Sequence, residues 1–141
     1  MHVHSKTICL VLACVIAITG LPAIGQGKKI PLSQIEAMFS NMRAKAPWNV
    51  DGPLLWGYFF IDPSRESLEQ AAVELQAAGY RTVGIGQVPG KQLLRLHIER
   101  VERHTPATLD ARNQEFYALA ERLSLASYDG MDVGPIPQPP K

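Results

Sequence analysis

Eight consecutive residues, Leu54-Leu55-Trp56-Gly57-Tyr58-Phe59-Phe60-Ile61, closed by Asp62-Pro63, form the densest apolar segment outside the N-terminus. The run is too short for most helices, suits a strand, and is rich in aromatics that favour a pleated surface. Both alternating sets are apolar: Leu54, Trp56, Tyr58 and Phe60 on one side, Leu55, Gly57, Phe59 and Ile61 on the other. Such a strand belongs in the middle of a sheet, covered on both faces. The rest of the chain is organised around it.

Met1 to Lys6 is a short head with one positive charge, and Thr7 to Thr19 is an apolar run. Gly20, Pro22, Ala23 and Gly25 then supply a breaker and small residues, the order of a secretory signal. Ala23 and Gly25 fit the −3 and −1 positions, so cleavage is expected after Gly25. The apolar run is shorter than the ~20 residues that span a bilayer, which disfavours a retained anchor. Lipid attachment at Cys14 is a weaker alternative, because Val11-Leu12-Ala13 fits the usual pattern poorly and the apolar run continues past it. The expected location is periplasmic or secreted. Cys9 and Cys14 both lie in the signal, so residues 26–141 hold no disulfide, thiol nucleophile or thiolate metal site. The same residues carry 13 basic and 13 acidic side chains once Lys6 is removed. A neutral domain has no strong long-range pull on nucleic acid or anionic lipid.

Residues 26–53 read as a linker and an N-terminal helix. Ser33-Gln34-Ile35-Glu36 has capping-box spacing, and Ile35, Met38, Phe39 and Met42 make one apolar stripe, predicting a helix from about Gln34 to Ala46. Pro47 to Pro53 is a loop. After the central strand, Asp62 is the expected cap and Pro63 the first residue of a helix with the stripe Leu68, Ala71, Ala72, Leu75, ended by Gly79. Tyr80 to Gln87 suggests an irregular edge strand. In Gln92 to Arg103, Leu94, Leu96 and Ile98 alternate with Arg95, His97, Glu99 and Arg103, the pattern of a half-buried strand. Thr105-Pro106 starts another helix, and Tyr128 to Val133 is a last short strand. Residues 134–141, with four prolines, read as an extended or disordered tail. The order strand, helix, strand, strand, helix, strand over 54–133 is the α+β, ferredoxin-like split βαβ: a four-stranded antiparallel sheet with two helices, plus the extra N-terminal helix. The first and third strands are expected at its centre.

The Tyr128-Asp129-Gly130-Met131 segment, read as a turn after the last helix, carries a further pattern. With Leu54-Trp56-Gly57-Tyr58-Phe59-Phe60 and the helix around Arg112-Asn113 leading to Leu119-Ala120, it resembles the RraB family, the protein inhibitors of ribonuclease E. The resemblance covers about Leu54 to Val133. It implies a ferredoxin-like fold and a protein that binds a nuclease rather than catalysing a reaction. The family's best-known inhibitors are strongly acidic and ribonuclease E is cytoplasmic. Residues 26–141 are neutral and end in prolines, and an export signal precedes them, so the chain reads as an exported variant.

The sheet face away from the two helices is the candidate interaction surface. With Leu55, Phe59 and Ile61 under the helices, Trp56, Tyr58 and Phe60 would line the open side beside Arg95, His97 and Arg103, with Tyr128 and Asp129 nearby. The N-terminal helix or a second copy of the chain is the expected cover. An RNA-binding platform would use the same aromatics with Arg95 and Arg103, but the chain lacks the glycine-aromatic pattern of such modules. A small-molecule pocket lined by Phe39, Met42 and Trp48 is the other alternative. His97, Glu99, Glu102 and His104 do not share one face, so no metal is expected. Asp129 and Asp132 suit turn capping, and Gly84, Gly86 and Gly90 do not precede a helix as a phosphate loop would. No nucleophile-base set is visible. The expectation is a non-enzymatic protein-interaction module without cofactor. Its partner would be an envelope protein or a second copy; ribonuclease E would be the partner only of an unexported chain.

Overall fold

The computed structural model describes residues 28–141, so the expected signal at 1–25 lies outside the described residues. Seven elements follow in order: α1 (Leu32–Lys45), β1 (Leu54–Asp62), α2 (Arg65–Ala77), β2 (Arg81–Gln87), β3 (Leu94–Glu102), α3 (Pro106–Arg122) and β4 (Ser127–Gly134). The strands form one antiparallel sheet in the order β2-β3-β1-β4, with β1 and β3 central. This is the ferredoxin-like layout with an added N-terminal helix. Residues 135–141 carry neither helix nor strand. No helix among the described residues is long and apolar enough to cross a membrane.

Local chemistry accounts for the helix starts, with two departures from expectation. α3 begins as predicted: Thr105 accepts from the Thr108 amide, the Thr108 side chain accepts from the Thr105 amide, and Pro106 occupies the first turn. α2 is capped by Ser64, not Asp62. β1 runs through Asp62, whose buried carboxylate accepts from the amides of Ser64 and Ala126, both at 2.9 Å. One side chain thereby ties the start of α2 to the approach of β4. α1 begins at Leu32 behind Pro31 with no side-chain cap, so the Ser33–Glu36 box does not form: Ser33 is already inside the first turn.

The larger correction concerns the faces of β1. Trp56, Tyr58 and Phe60 lie under the helices, at most 1% exposed, and Leu55, Phe59 and Ile61 face the other way. Strand pairing explains it. Tyr58 and Phe60 stand opposite Ile98 and Leu96, whereas Phe59 and Ile61 stand opposite His97 and Arg95. Partners directly across a sheet share a face. The aliphatic side of β3 therefore takes the larger aromatic set with it, each such side chain contributing ~1.5–3 kcal/mol of burial. Phe116 of α3 meets Tyr58, Phe60 and Tyr128 edge-on, with ring centroids 4.8–5.3 Å apart.

α1 does not cover the open face. It packs beside α3 on the same side of the sheet, with Phe39 stacked on Trp56 at 6.0 Å and the Ile30 amide bonded to Tyr117 Oη at 2.8 Å. Three helices thus share one face. The space expected to form a pocket is filled: Phe39 is fully buried, and Met42 and Trp48 pack against the same core.

The Tyr128-Asp129-Gly130 segment is not a turn. It lies within β4, where three steps of β4, Tyr128 to Met131, span two steps of β1, Phe60 to Tyr58. Gly130 takes a φ of 98°, which lets the extra residue bulge without a steric penalty. The bulge turns Tyr128 into the core and leaves Asp129 outside.

Candidate functional site

The open face is assembled from alternate residues of four strands. Phe59 and its cross-strand neighbour His97 stack with centroids 4.6 Å apart at 27°. The Arg95 guanidinium lies 5.5 Å from the Phe59 ring and 3.5 Å from the Asp129 carboxylate. Arg81 on β2 pairs with Glu99 directly across on β3. Val83 and Val101 are each 47% exposed. Beside Phe59, His97 and Arg95 lies a hollow of about 370 Å³ whose lining includes Gly84 and Gly86. A methyl group on either glycine would meet nothing within 4 Å, so their missing side chains help keep the hollow open.

Gly57 has a different role. A Cβ there would come within 2.7 Å of His97 Nε2 and closer still to the Asp132 carboxylate. The bare backbone lets those two side chains converge over β1. Burial pulls His97 below its ordinary range; Asp132 pushes it up, and the charges of Arg81 and Arg95 add to the lowering.

The opposite face hides a second polar group. Glu102, at the end of β3, points under the helices. Tyr58 Oη donates to it at 2.5 Å, His104 Nε2 lies 3.0 Å away, Arg112 Nη2 donates at 3.0 Å, and Arg100 donates through Nε at 2.8 Å and through Nη2. His104 Nδ1 reaches Thr108 Oγ1 at 3.0 Å, linking the cluster to the α3 cap. Burial pushes the Glu102 carboxyl up. Hydrogen bonds from His104, Tyr58 and Arg100, with the Arg112 charge, outweigh it and bring the carboxyl to about 2. Burial, then the Glu102 bond, pushes the Tyr58 phenol well above its ordinary range. Nearby, Tyr128 Oη donates to the fully buried Asn113 at 2.7 Å.

Of the residues expected on the interaction surface, Arg95, His97 and Asp129 stand together on the open face. Trp56, Tyr58, Phe60 and Tyr128 are core, which removes the stacking residues from an RNA platform built on them. Arg103 is exposed beyond the end of β3, its Nη1 3.4 Å from the Asp51 carbonyl. His97 and Glu99 face out while Glu102 faces in, as the alternation of β3 requires, and His104, past the end of β3, is buried beside Glu102. Sequence reasoning missed Phe59 and Asp132 on the open face, and Arg100 and Arg112 around Glu102. The parity of β3 held a signal: Arg100 and Glu102 fall in step with Leu96 and Ile98.

These features define a ferredoxin-like α+β domain with a half-buried ion cluster on the helix side of the sheet and one sheet face bare among the described residues. The family model described as RraB, Regulator of ribonuclease activity B, matches residues 33–133, from α1 to the end of β4. The chain belongs to the RraB family. No curated protein matches it. Most residues that carried the resemblance serve the interior: Trp56, Tyr58, Phe60, Asn113, Leu119, Ala120 and Tyr128 are buried and Arg112 holds Glu102, while Phe59 and Asp129 stand on the open face.

Proposed function

We propose that this domain is a non-catalytic regulator that binds a protein partner through the open face of its sheet, with Phe59, His97, Arg95 and Asp129 at the centre of contact. The observation that carries this reading is the uncovered Phe59–His97 stack, flanked by the Arg95–Asp129 pair and the glycine-lined hollow. Phenylalanine and arginine are both enriched at protein interfaces. Membership of a family of ribonuclease regulators supports a protein as the partner.

Residues 1–25 read as a secretory signal, so the partner we propose is an envelope or extracellular protein. For a chain kept in the cytoplasm, ribonuclease E takes its place. A tag after Lys141 tests both points in one preparation. The processed protein is expected outside the cytoplasm, starting near Gln26, and a partner is expected to co-purify under native conditions. Phe59→Ser should release that partner without unfolding the domain. A folded Phe59→Ser variant that retains the partner would overturn the assignment to this face. A full-length cytoplasmic form would move the search to ribonuclease E.

A further inference from the structure

A cleft of about 540 Å³ opens between α2 and α3, on the helix side of the sheet and away from the proposed partner face. Leu75, Phe116 and Leu119 make its lining apolar. At one end stand Tyr80, Arg100 and Arg112; at the other, Glu74 and Arg122 form an ion pair between the two helices. We propose that this cleft binds a small amphipathic carboxylate, its apolar body against Leu75, Phe116 and Leu119 and its carboxylate beside Arg112 and Tyr80.

Two orphaned polar atoms point to the ligand's chemistry. Tyr80 is 5% exposed, and its hydroxyl is buried without a hydrogen-bond partner. Arg112 Nε is likewise buried and unpartnered. Buried polar groups are nearly always satisfied, so each of these donors, on a residue that lines the cleft, has a hydrogen bond left to make. Burial, then the Glu102 charge, pushes the Tyr80 phenol up to about 12, so it keeps its proton and donates. Glu102 does not satisfy them: Tyr58, His104, Arg100 and the Nη2 of Arg112 already occupy it.

Charge points the same way. Arg100 and Arg112 share the one carboxylate of Glu102, and the remaining positive charge is met by Glu115, whose side chain is 62% exposed. An incoming carboxylate would compete with a solvated partner, and charge-assisted bonds of this kind are the strong ones. The apolar lining favours a ligand with an apolar body over a bare anion. The volume falls within the ~300–1,000 Å³ of ordinary small-molecule sites.

The test is an amide NMR titration of the full chain with 4-phenylbutyrate, its neutral amide and inorganic phosphate as probes. Saturable shifts are expected on α2 and α3 with 4-phenylbutyrate, and at least tenfold weaker binding of the amide. Ala118→Trp, at an exposed α3 position lining the cleft, should abolish the saturable shifts in a protein whose spectrum stays folded. Tyr80→Phe should weaken binding severalfold, and Phe59→Ser should leave it unchanged. Absence of saturable shifts would overturn the proposal. So would equal binding of acid and amide, binding that survives Ala118→Trp, or phosphate saturating the site at lower concentration than 4-phenylbutyrate.

Discussion

The two faces of the sheet are built from the same strands, often from adjacent residues, and differ in almost everything else. Phe60 is fully buried against Phe116 and Tyr128; Phe59, one residue earlier, is half-buried with a histidine and an arginine for company. Glu102 is enclosed by two arginines, a histidine and a tyrosine; Glu99, on the other side of β3, pairs with an arginine whose side chain is 71% exposed. The helix side holds the fold together. The open side is the one whose chemistry can change at small cost to stability.

Paired substitutions put numbers on that contrast. Phe60→Ala should destabilise by ~3–5 kcal/mol, as truncation of a buried aromatic does. Phe59→Ala should cost about 1 kcal/mol, because it removes one partly solvated stack. Urea unfolding of the two variants measures the difference directly, and similar losses would dissolve the distinction between the faces.

The glutamates make a second pair. Glu102→Gln leaves Arg100, Arg112 and His104 around a neutral amide and should cost about 3 kcal/mol. Glu99→Gln removes a pair open to water on one side and should cost ~1 kcal/mol or less. Chemical denaturation near neutral pH compares them.

Acid sharpens the same contrast without mutation. The folded Glu102 carboxyl lies at about 2, below its ordinary value of 4.5, so its stabilisation is complete above that ordinary value. It is lost as pH falls from there through the folded value, amounting to about 2 kcal/mol after allowance for solvent screening. Stability measured across this window should fall in the native protein and change less in Glu102→Gln. Parallel curves would remove Glu102 as the cause.

The smallest effect belongs to the open face. Gly57→Ala places a methyl group against His97 and Asp132, and both can swing toward solvent. A loss of ~1 kcal/mol is expected, with the His97 ring signals displaced in the NMR spectrum. Unchanged ring signals would mean that the two side chains do not converge over Gly57 in solution.

The element order was legible because each segment carried its own period and punctuation. Thr105-Pro106 marked a helix start, and the alternation from Gln92 to Arg103 marked a strand, which the structure trims to Leu94–Glu102. The choice of face was harder, because β1 is apolar on both sides and has no internal vote. Only its pairing with β3 decides, and pairing is a property of two strands. The position of α1 was hidden for a related reason: the stripe of Ile35 and Phe39 says that it must be buried, not against which surface. The Glu102 cluster draws on β1, β3, α3 and the segment between the last two, and only Arg100, Glu102 and His104 are close enough in sequence to suggest it.

The bulge at Asp129-Gly130 acts on β4 as a phase shift acts on a wave. Tyr128 before it and Met131 after it both turn inward, although an unbroken strand would put residues three apart on opposite faces. Forcing the same residues into an unbroken strand would invert one end of β4 relative to the other: with Met131 held inward, Asp129 would turn toward the core and Tyr128 toward solvent. The Tyr-Asp-Gly signature therefore works as punctuation: it keeps the last strand in frame with the first, whatever molecule the open face meets.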